Sequence, residues 1–316
     1  MANVRIVIIG SGRIANEHAR AFSDVSDCQI VGVVGRQLLK VNKFATEFNI
    51  PHSQVGLAGL FEATNADLVV IAVDIDQTAG VLKECAKHKW TILTEKPLGI
   101  NFREATELQT FLGADTERVL VALNRRHYST VRKLETILNQ NSERRTIKIV
   151  DQEDQFAASQ NGVSDLTIEN WMYANSIHLI DLFKVFGRGE ISKINVETQW
   201  KSMSKLTHKA QLIFDSGDIG FYECCWNSDG PWSVSVSVGG ESWLLKPLEK
   251  LTNLDQFGEE TTPILDDRWD LDFKAGFRRQ AEMVVRRVRG LESDVVSFNE
   301  ALKSMFLVKE IYGCQD

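Results

Sequence analysis

The feature that most constrains the fold is an alternation of short apolar runs with helix-length amphipathic segments, from residue 4 to about residue 126. Strands that are apolar throughout are typical of a parallel sheet covered by helices on both faces. We therefore predict a doubly wound α/β domain with a parallel sheet. The predicted strands are residues 4–9, 29–34, 68–73, 91–94 and 119–123, and the predicted helices are residues 16–22, 38–48, 78–87 and 103–112.

The second half of the chain has a different texture and predicts an α+β domain with a large open, mainly antiparallel sheet. Asp215-Ser216-Gly217-Asp218 is typical of a tight hairpin. Ser233–Val238 alternates serine and valine, so one face of that strand is expected to be wet or covered by another subunit. Predicted strands lie at residues 146–153, 193–201, 210–214, 217–226 and 233–238, and predicted helices at residues 130–140, 272–289 and 299–312.

Composition excludes several classes of protein. Of the 316 residues, 43% are hydrophobic and 25% are charged, as in ordinary globular proteins. The net charge of -7 and the lack of a basic cluster argue against a nucleic-acid partner. Five cysteines without C-x-x-C spacing and six scattered histidines predict neither disulfides nor a metal. Because no run of 18 apolar residues and no cleavage-site pattern occurs, we expect a cytoplasmic protein without membrane contact.

A glycine-rich loop follows the first predicted strand and opens the first helix. Its residues Gly10-Ser11-Gly12-Arg13-Ile14-Ala15 read G-x-G-x-x-A. In this pattern the first glycine allows a tight turn, the second lets the backbone approach a diphosphate, and the alanine permits close packing of helix on strand. A glycine turn without a ligand is the structural alternative. The strand, loop and helix context favours a Rossmann dinucleotide site in which these six residues bind the cofactor.

The end of the second strand bears on the choice of cofactor. NAD-binding Rossmann domains usually place an acidic residue there for the ribose 2′-hydroxyl, whereas this chain reads Val34-Gly35-Arg36-Gln37. An unopposed Arg36 guanidinium would pair with a 2′-phosphate, although a solvated arginine at a helix start is common. We therefore predict NADP(H) in preference to NAD(H), with Val73 at the end of the third run also in contact with the cofactor.

Thr94-Glu95-Lys96-Pro97 ends the fourth run, where strands of such sheets face the ligand crevice. Together with the glycine loop and Arg36, this tripeptide resembles the Gfo/Idh/MocA oxidoreductases, in which Glu-Lys-Pro marks the active site. Asn124-Arg125-Arg126 and Ser176-Ile177-His178-Leu179-Ile180-Asp181 follow in the same order as in the family. The resemblance implies a Rossmann domain at residues 1–126 and a substrate-binding and oligomerisation domain at residues 127–316.

By resemblance, Lys96 contacts the substrate hydroxyl and His178, on a second-domain helix, faces the nicotinamide. A free histidine titrates near 6.5, whereas a lysine near 10.4 would need a shift of about 3 units to act as a base. We therefore assign proton transfer to His178 and orientation of the reacting oxygen to Lys96. A buried core histidine is the alternative. Glu95 is expected at the cofactor, and the predicted substrate-binding residues are Arg126, Tyr128, Trp171 and Asn175, although aromatic residues in a helical segment are often core.

Two departures from the family pattern affect the site. The family's Pro-x-x-x-His after the third strand reads Asp74-Ile75-Asp76-Gln77-Thr78 here. The aspartate that often lies four residues before the histidine is Ala174. We expect the first change to alter the contacts that bind the cofactor. The second removes a carboxylate from the family's Lys-Asp-His set. Asn175, Tyr128 or the substrate itself is then expected to supply the polar contacts to Lys96 and His178.

The resemblance implies an NAD(P)-dependent oxidoreductase that moves a hydride between nicotinamide and a hydroxyl or keto carbon. The expected substrate is a sugar, a sugar derivative that includes nucleotide-linked ones, or a cyclitol. Two alternatives stay open, an NAD-dependent glycoside hydrolase and a non-catalytic regulator that senses dinucleotide. The resemblance also implies a homodimer or homotetramer that assembles through the open face of the second-domain sheet.

Overall fold

A computed structural model describes residues 3–198, 200, 207–227, 230, 232–255 and 257–314. Tertiary contacts divide the chain into two compact units. The first unit comprises residues 1–127 and 268–302, and the second comprises residues 128–267 and 303–316. Each unit has its own sheet.

The first unit contains a six-stranded sheet in the order β3-β2-β1-β4-β5-β6, and all of its strand pairs are parallel. Every residue of β4 and of β6 is buried, as expected for strands covered on both faces. The doubly wound α/β prediction is confirmed. The strands are β1 (Val4–Ile9), β2 (Cys28–Gly35), β3 (His52–Val55), β4 (Leu68–Ile71), β5 (Thr91–Glu95) and β6 (Val119–Ala122), and the helices are α1 (Arg13–Asp24), α2 (Leu38–Glu47), α3 (Leu60–Thr64), α4 (Ile75–Cys85) and α5 (Phe102–Leu112).

Two elements of this sheet layer were missed by sequence reasoning. The edge strand β3 has the sequence His-Ser-Gln-Val and no buried residue, so it carries no apolar run. The five residues of α3 are too few to show a helical period. In addition, α1 begins at Arg13 rather than at residue 16, and β4 ends at Ile71 rather than at residue 73.

The second unit contains an eight-stranded sheet in the order β14-β13-β12-β11-β7-β10-β9-β8. Among the described strands, β7 and β10 pair in parallel and the remaining neighbours are antiparallel, which confirms the mainly antiparallel prediction. The strands are β7 (Thr146–Asp151), β8 (Ile191–Val196), β9 (His208–Phe214), β10 (Ile219–Cys224), β11 (Ser233–Val238), β12 (Glu241–Leu245), β13 (Leu251–Leu254) and β14 (Glu260–Thr261).

The details of this sheet agree with several predictions. In β11 the valines are buried and the serines are half-buried, as the alternation predicted. The turn at Asp215–Asp218 joins the antiparallel β9 and β10, and Gly217 adopts a φ of +88° there. The predicted strand 193–201 ends at Val196, and its residues 199 and 201 lie outside the described part of the chain.

The helical segments of the second unit include one that carries the predicted site residues. The helices are α6 (Ser129–Leu138), α7 (Gln155–Gln160), α8 (Asp165–Glu169), α9 (Ile177–Ile180) and α10 (Leu182–Phe186). A π-helical turn, Met172–Ser176, leads directly into α9. Such turns occur frequently at functional sites.

Residues 268–302 pack with the first unit, whereas the predicted second domain comprised residues 127–316. The last helices are α11 (Arg268–Asp272), α12 (Phe277–Val288) and α13 (Phe298–Tyr312), and Gly276 with a φ of +77° interrupts the predicted helix 272–289. Buried Phe277 and Val284 of α12 belong to the core of the first unit, and Arg278 Nε contacts Asp24 Oδ2 of α1 at 2.6 Å. This return depends on tertiary packing, and no local sequence pattern indicates it.

No helix in the described part of the chain combines the length and the apolar composition needed to span a membrane.

Candidate functional site

The coenzyme loop, residues 10–15, lies between the end of β1 and the first turn of α1. Gly10 has a φ of +123°, and a Cβ added there would lie 2.1 Å from the carbonyl oxygen of Ala72. The Gly10 N–H donates to the Val34 carbonyl at 2.7 Å, which ties the loop to the end of β2. Only glycine combines this φ with this close approach of backbone.

Gly12 and Ala15 occupy the other two defining positions of the predicted motif. Gly12 precedes α1, and a Cβ added there would meet no atom within 4 Å. Ala15 is fully buried, and Ile14 packs partly buried against the same core. Among the described residues no side chain caps the N-terminus of α1, and its first turn holds no acidic residue. The first N–H groups of the 12-residue helix therefore stay available to an anion.

A cleft of about 600 Å³ opens at the carboxyl ends of β1, β2 and β4. The strand order reverses between β1 and β4, which is where ligands bind in doubly wound sheets. Of the predicted cofactor residues, those that line this cleft are Gly10, Ser11, Gly12, Arg36 and Val73. Arg13 lines an adjoining depression together with Ser11 and Gly12. Ile14 and Ala15 support the loop from beneath, and Glu95 is not among the lining residues.

Arg36 is paired, which corrects the prediction of an unopposed guanidinium. Its Nη2 lies 2.6 Å from Oδ2 of Asp74, which precedes α4 and lines the same cleft. Both side chains are largely exposed. Arg36, at the end of β2, is thus opposed by a carboxylate 38 residues further along the chain. Sequence reasoning noted Asp74 as a departure but had no signal for its partner.

Glu95 and Lys96 lie at the end of β5. Glu95 Oε1 is 2.8 Å from Nε2 of His18, a histidine of α1 that is 1% exposed. The His18 ring also packs on Phe277, with 4.8 Å between ring centroids. Lys96 follows Glu95 directly and is half-buried. The Glu95 contact thus links the end of β5 to the helix that follows the coenzyme loop.

Basic side chains of the first unit gather near this loop. Desolvation and the positive charges of Arg13 and Arg125 lower the pKa of Lys274, an exposed residue, whereas the negative charges of Glu17 and Glu95 oppose the shift. Like charges nearby disfavour the protonated form of a lysine. Lys274 belongs to the returning segment 268–302, so sequence reasoning did not connect it with the loop.

Two further residues of the predicted Asn-Arg-Arg motif have partners within the first unit. Buried Asn124 donates from Nδ2 to the Ala275 carbonyl at 3.0 Å. Arg126, predicted to bind substrate, has Nη1 3.7 Å from Glu300 Oε1 and is 16% exposed. Asn124 thereby holds the returning segment, while the role of Arg126 stays a prediction.

In the second unit, Trp171 and Asn175 converge on a carboxylate that sequence reasoning missed. Trp171 Nε1 donates to Glu153 Oε2 at 2.9 Å, and Asn175 Nδ2 lies 2.8 Å from both Glu153 oxygens. Glu153 is 7% exposed, whereas Trp171 and Asn175 are only half-buried. We call these three residues the Glu153 cluster. Glu153 lies at the end of a predicted strand, and only the fold reveals its partners.

His178 is 4% exposed in α9, three residues after Asn175. Tyr128 precedes α6 and is 5% exposed. Lys96 belongs to the first unit and His178 to the second, so their cooperation stays a prediction. Among the described residues no group of three or more histidine, cysteine, aspartate or glutamate side chains comes together to hold a metal ion.

A second carboxyl group, Asp151, lies at the end of β7 and is fully buried. Tyr222 Oη donates to Asp151 Oδ2 at 2.5 Å and lies 2.6 Å from Tyr312 Oη. Tyr312 Oη in turn donates to Ser176 Oγ of the π-helical turn at 3.3 Å. Burial raises the pKa of Asp151, although the hydrogen bonds from its neighbours oppose the shift. Asp151 is therefore an interior carboxyl whose pKa lies above that of a free aspartate.

Comparison with known proteins shows similarity in both sequence and fold. The mouse trans-1,2-dihydrobenzene-1,2-diol dehydrogenase is 27% identical over 135 residues, which are 42% of this chain and 40% of that protein. The chain thus matches about two fifths of the length of this curated relative.

Solved structures resemble nearly the whole chain in fold. A dehydrogenase from Chromobacterium violaceum has a TM-score of 0.83 at 16% identity, covering 99% of this chain and 95% of that one. A levoglucosan dehydrogenase in complex with NADH and L-sorbose has a TM-score of 0.80 at 14% identity, covering 99% and 96%. Residues 4–123 match the family described as "Oxidoreductase family, NAD-binding Rossmann fold". Residues 4–123, the Rossmann part of the chain, are thus similar to the Gfo/Idh/MocA oxidoreductases.

Proposed function

We propose that the chain is an NAD(P)-dependent oxidoreductase acting on a hydroxyl or keto carbon of a sugar, a sugar derivative or a cyclitol. The observation that carries this proposal is the cleft at the reversal of strand order, bordered by the uncapped N-terminus of α1, within the segment that matches the family. In Rossmann domains such a cleft binds a nicotinamide dinucleotide, which accepts or donates a hydride.

The residues present suit a dinucleotide. The open space at Gly12 leaves room for a diphosphate close to the backbone, and the N–H groups of α1 attract its charge. The loop residues Gly10–Ala15 would hold the diphosphate, with Val73 and Arg36 further along the cleft. When bound, the nicotinamide accepts or supplies the hydride.

The protein's own contribution to the reaction is assigned to Lys96 and His178. Removing a hydride from a carbinol carbon requires that the hydroxyl proton be taken up, and His178 is the base or acid for that proton. Lys96 donates a hydrogen bond to the reacting oxygen and orients it. Arg126, Tyr128, Trp171 and Asn175 contact the remaining hydroxyl groups or the C–H face of the substrate.

A two-step assay tests the proposal. Quenching of intrinsic fluorescence on titration with NADPH and NADH measures coenzyme binding, and absorbance of the reduced nicotinamide then follows turnover across sugars, sugar nucleotides and cyclitols. We expect saturable coenzyme binding and substrate-dependent change in absorbance. Coenzyme binding without turnover of any of these polyols or ketoses would contradict the proposed activity.

We also propose that NADP(H) is preferred to NAD(H). The supporting features are the absence of an acid at Gly35-Arg36-Gln37 and the presence of Lys40 beside Arg36 in the cleft. Asp74 opposes this preference, because its negative charge would repel a 2′-phosphate.

The paired variants Arg36→Gln and Asp74→Asn test the preference in opposite directions. Each removes one charge of an exposed pair, so we expect about a tenfold change in the ratio of the NADPH and NADH dissociation constants, or about 1.4 kcal/mol. Arg36→Gln should lower the preference for NADPH and Asp74→Asn should raise it. Equal ratios in both variants and in the unmodified protein would contradict the assignment.

Assembly of two or four copies through the second sheet is proposed as well. The face of this sheet that carries Ser235 also carries Phe221 and Leu244, 38% and 36% exposed, in one row across neighbouring strands. A second copy would cover these apolar side chains. Analytical ultracentrifugation of Phe221→Glu should show a smaller species than the unmodified protein, and an unchanged sedimentation coefficient would contradict this interface.

A further inference from the structure

Glu153 occupies a fixed position just beyond β7. Its backbone carbonyl accepts a hydrogen bond from Asn227 N at 2.6 Å, and Asn227 Oδ1 accepts one from Gln155 N at 2.9 Å. The Trp232 side chain adds a third tie, because its Nε1 donates to the Gln152 carbonyl at 2.9 Å. The carboxylate is therefore presented by backbone that is held on both sides.

The contacts of Glu153 fix the orientation of the Asn175 amide. A carboxylate only accepts hydrogen bonds, so the group that lies 2.8 Å from both of its oxygens must be the Asn175 NH₂. The Asn175 Oδ1 then faces away from Glu153. Among the described residues, Oδ1 accepts no protein hydrogen bond, and the side chain is half-buried rather than enclosed. The amide thus offers one accessible acceptor.

The Glu153 carboxylate also fixes the orientation of Trp171. The indole N–H donates to Glu153 Oε2, which sets the direction of a partly exposed ring four residues before Asn175. Asn175 and His178 are three residues apart, a spacing that brings side chains to one face of a helix. Glu153 therefore organises the segment that leads into His178, in which Ala174 leaves no local carboxylate.

We propose that Glu153 is a positioning residue that holds the Asn175 amide with Oδ1 outward, so that Asn175 accepts a hydrogen bond from a neutral substrate hydroxyl. This inference rests on the proposed function and narrows its substrate class. A carboxylate or phosphoryl group of a ligand has no proton for Oδ1 and meets the negative charge of Glu153 as well. The position beside Asn175 consequently selects an uncharged polyol portion of the substrate.

The variant Glu153→Gln tests the assignment because a glutamine of nearly the same size both donates and accepts. The Asn175 amide then gains a second orientation, with its NH₂ outward. Glu169→Gln is the matched control, since Glu169 is an exposed carboxylate at the end of α8 on the same segment. Selective ¹⁵N labelling of asparagine, with Asn175→Ala to assign the signal, reports the environment of the amide directly.

We expect the Asn175 NH₂ resonances to shift and to exchange faster with water in Glu153→Gln and to stay unchanged in Glu169→Gln. With myo-inositol and D-glucose as neutral probes, KM should rise about tenfold in Glu153→Gln, kcat should change less, and coenzyme affinity should not change. The ratio of kcat/KM for D-glucose to kcat/KM for D-glucuronate should fall in Glu153→Gln. In a double-mutant cycle, Glu153→Gln should add little to the effect of Asn175→Ala.

The two proposals fail in different ways. Unchanged Asn175 resonances in Glu153→Gln would overturn the positioning role even if the protein oxidises every polyol tested. The positioning role would also be overturned if the effects of Glu153→Gln and Asn175→Ala on KM were fully additive in the double variant. Shifted resonances in a protein that binds coenzyme but turns over no polyol would instead support the positioning of Asn175 and overturn the proposed activity.

Discussion

The coenzyme loop of the first unit and the Glu153 cluster of the second are assembled in opposite ways. The loop consists of consecutive residues whose tasks follow from their own backbone, such as the φ of +123° at Gly10. The cluster joins Glu153 to residues 18 and 22 positions further along the chain. A local pattern can specify the first kind of site, whereas only tertiary packing brings the second kind together.

The largest effect is expected for the two residues assigned to the chemistry. Lys96→Ala and His178→Ala should each lower kcat by about 100-fold or more, because proton transfer and orientation of the reacting oxygen contribute at least that much. Stopped-flow or steady-state absorbance measures the change. The exposed residues Lys89 and His52 provide the controls Lys89→Ala and His52→Ala, which should keep full activity. Full turnover in both Lys96→Ala and His178→Ala would remove the catalytic assignment from both units.

Gly10→Ala sharpens the statement that the loop is specified locally. A Cβ at this position would lie 2.1 Å from the Ala72 carbonyl oxygen, at a φ that side chains rarely adopt. We expect the free energy of unfolding to fall by about 3 kcal/mol, from strain and overpacking together. Urea denaturation measures the loss. Gly56→Ala, at a positive φ with no atom within 4 Å of the added Cβ, separates backbone strain from the clash and should cost less.

The loop and the parallel sheet could be predicted because their signals are local. Fully apolar runs indicated β4 and β6, a run interrupted only by Arg5 indicated β1, and glycine spacing indicated the loop. By contrast, β3 lacks an apolar run, and Gly276 breaks a predicted helix whose second part packs on α1.

The candidate site shows the same division between local and tertiary signals. Arg36 was identified as a cleft residue, but its pairing with Asp74 depends on two strand ends that meet only in the fold. Ala174 indicated that a carboxylate was missing from the helix. No local sequence pattern indicated that Glu153 would contact Asn175, the residue that follows Ala174.

Asp151 and Glu153 allow a comparison within the second unit, because Asp151 is fully buried, whereas Glu153 contacts the half-buried side chains of Trp171 and Asn175. The raised pKa of Asp151 means that its contribution to stability is fully present below the ordinary aspartate pKa of 3.8 and is lost as pH rises through the folded-state value. Asp151→Asn cannot titrate.

We therefore expect the stability of the unmodified protein, relative to Asp151→Asn, to fall as pH rises above 3.8, by at most about 1.4 kcal/mol per pH unit. Urea midpoints between pH 4 and pH 8 measure the difference, and taking the difference cancels other titrating groups such as His208. A difference that is constant with pH would show that Asp151 has an ordinary pKa.

The most direct test of the account is the coenzyme affinity of Gly12→Ala. In the protein alone, a Cβ at Gly12 meets nothing within 4 Å, so the melting temperature should be unchanged. A diphosphate seated against this loop would meet the added methyl group, and the dissociation constants of NADPH and NADH should rise about tenfold or more, equivalent to at least about 1.4 kcal/mol. Unchanged affinity for both coenzymes, measured by fluorescence titration at an unchanged melting temperature, would show that the dinucleotide does not bind at this loop.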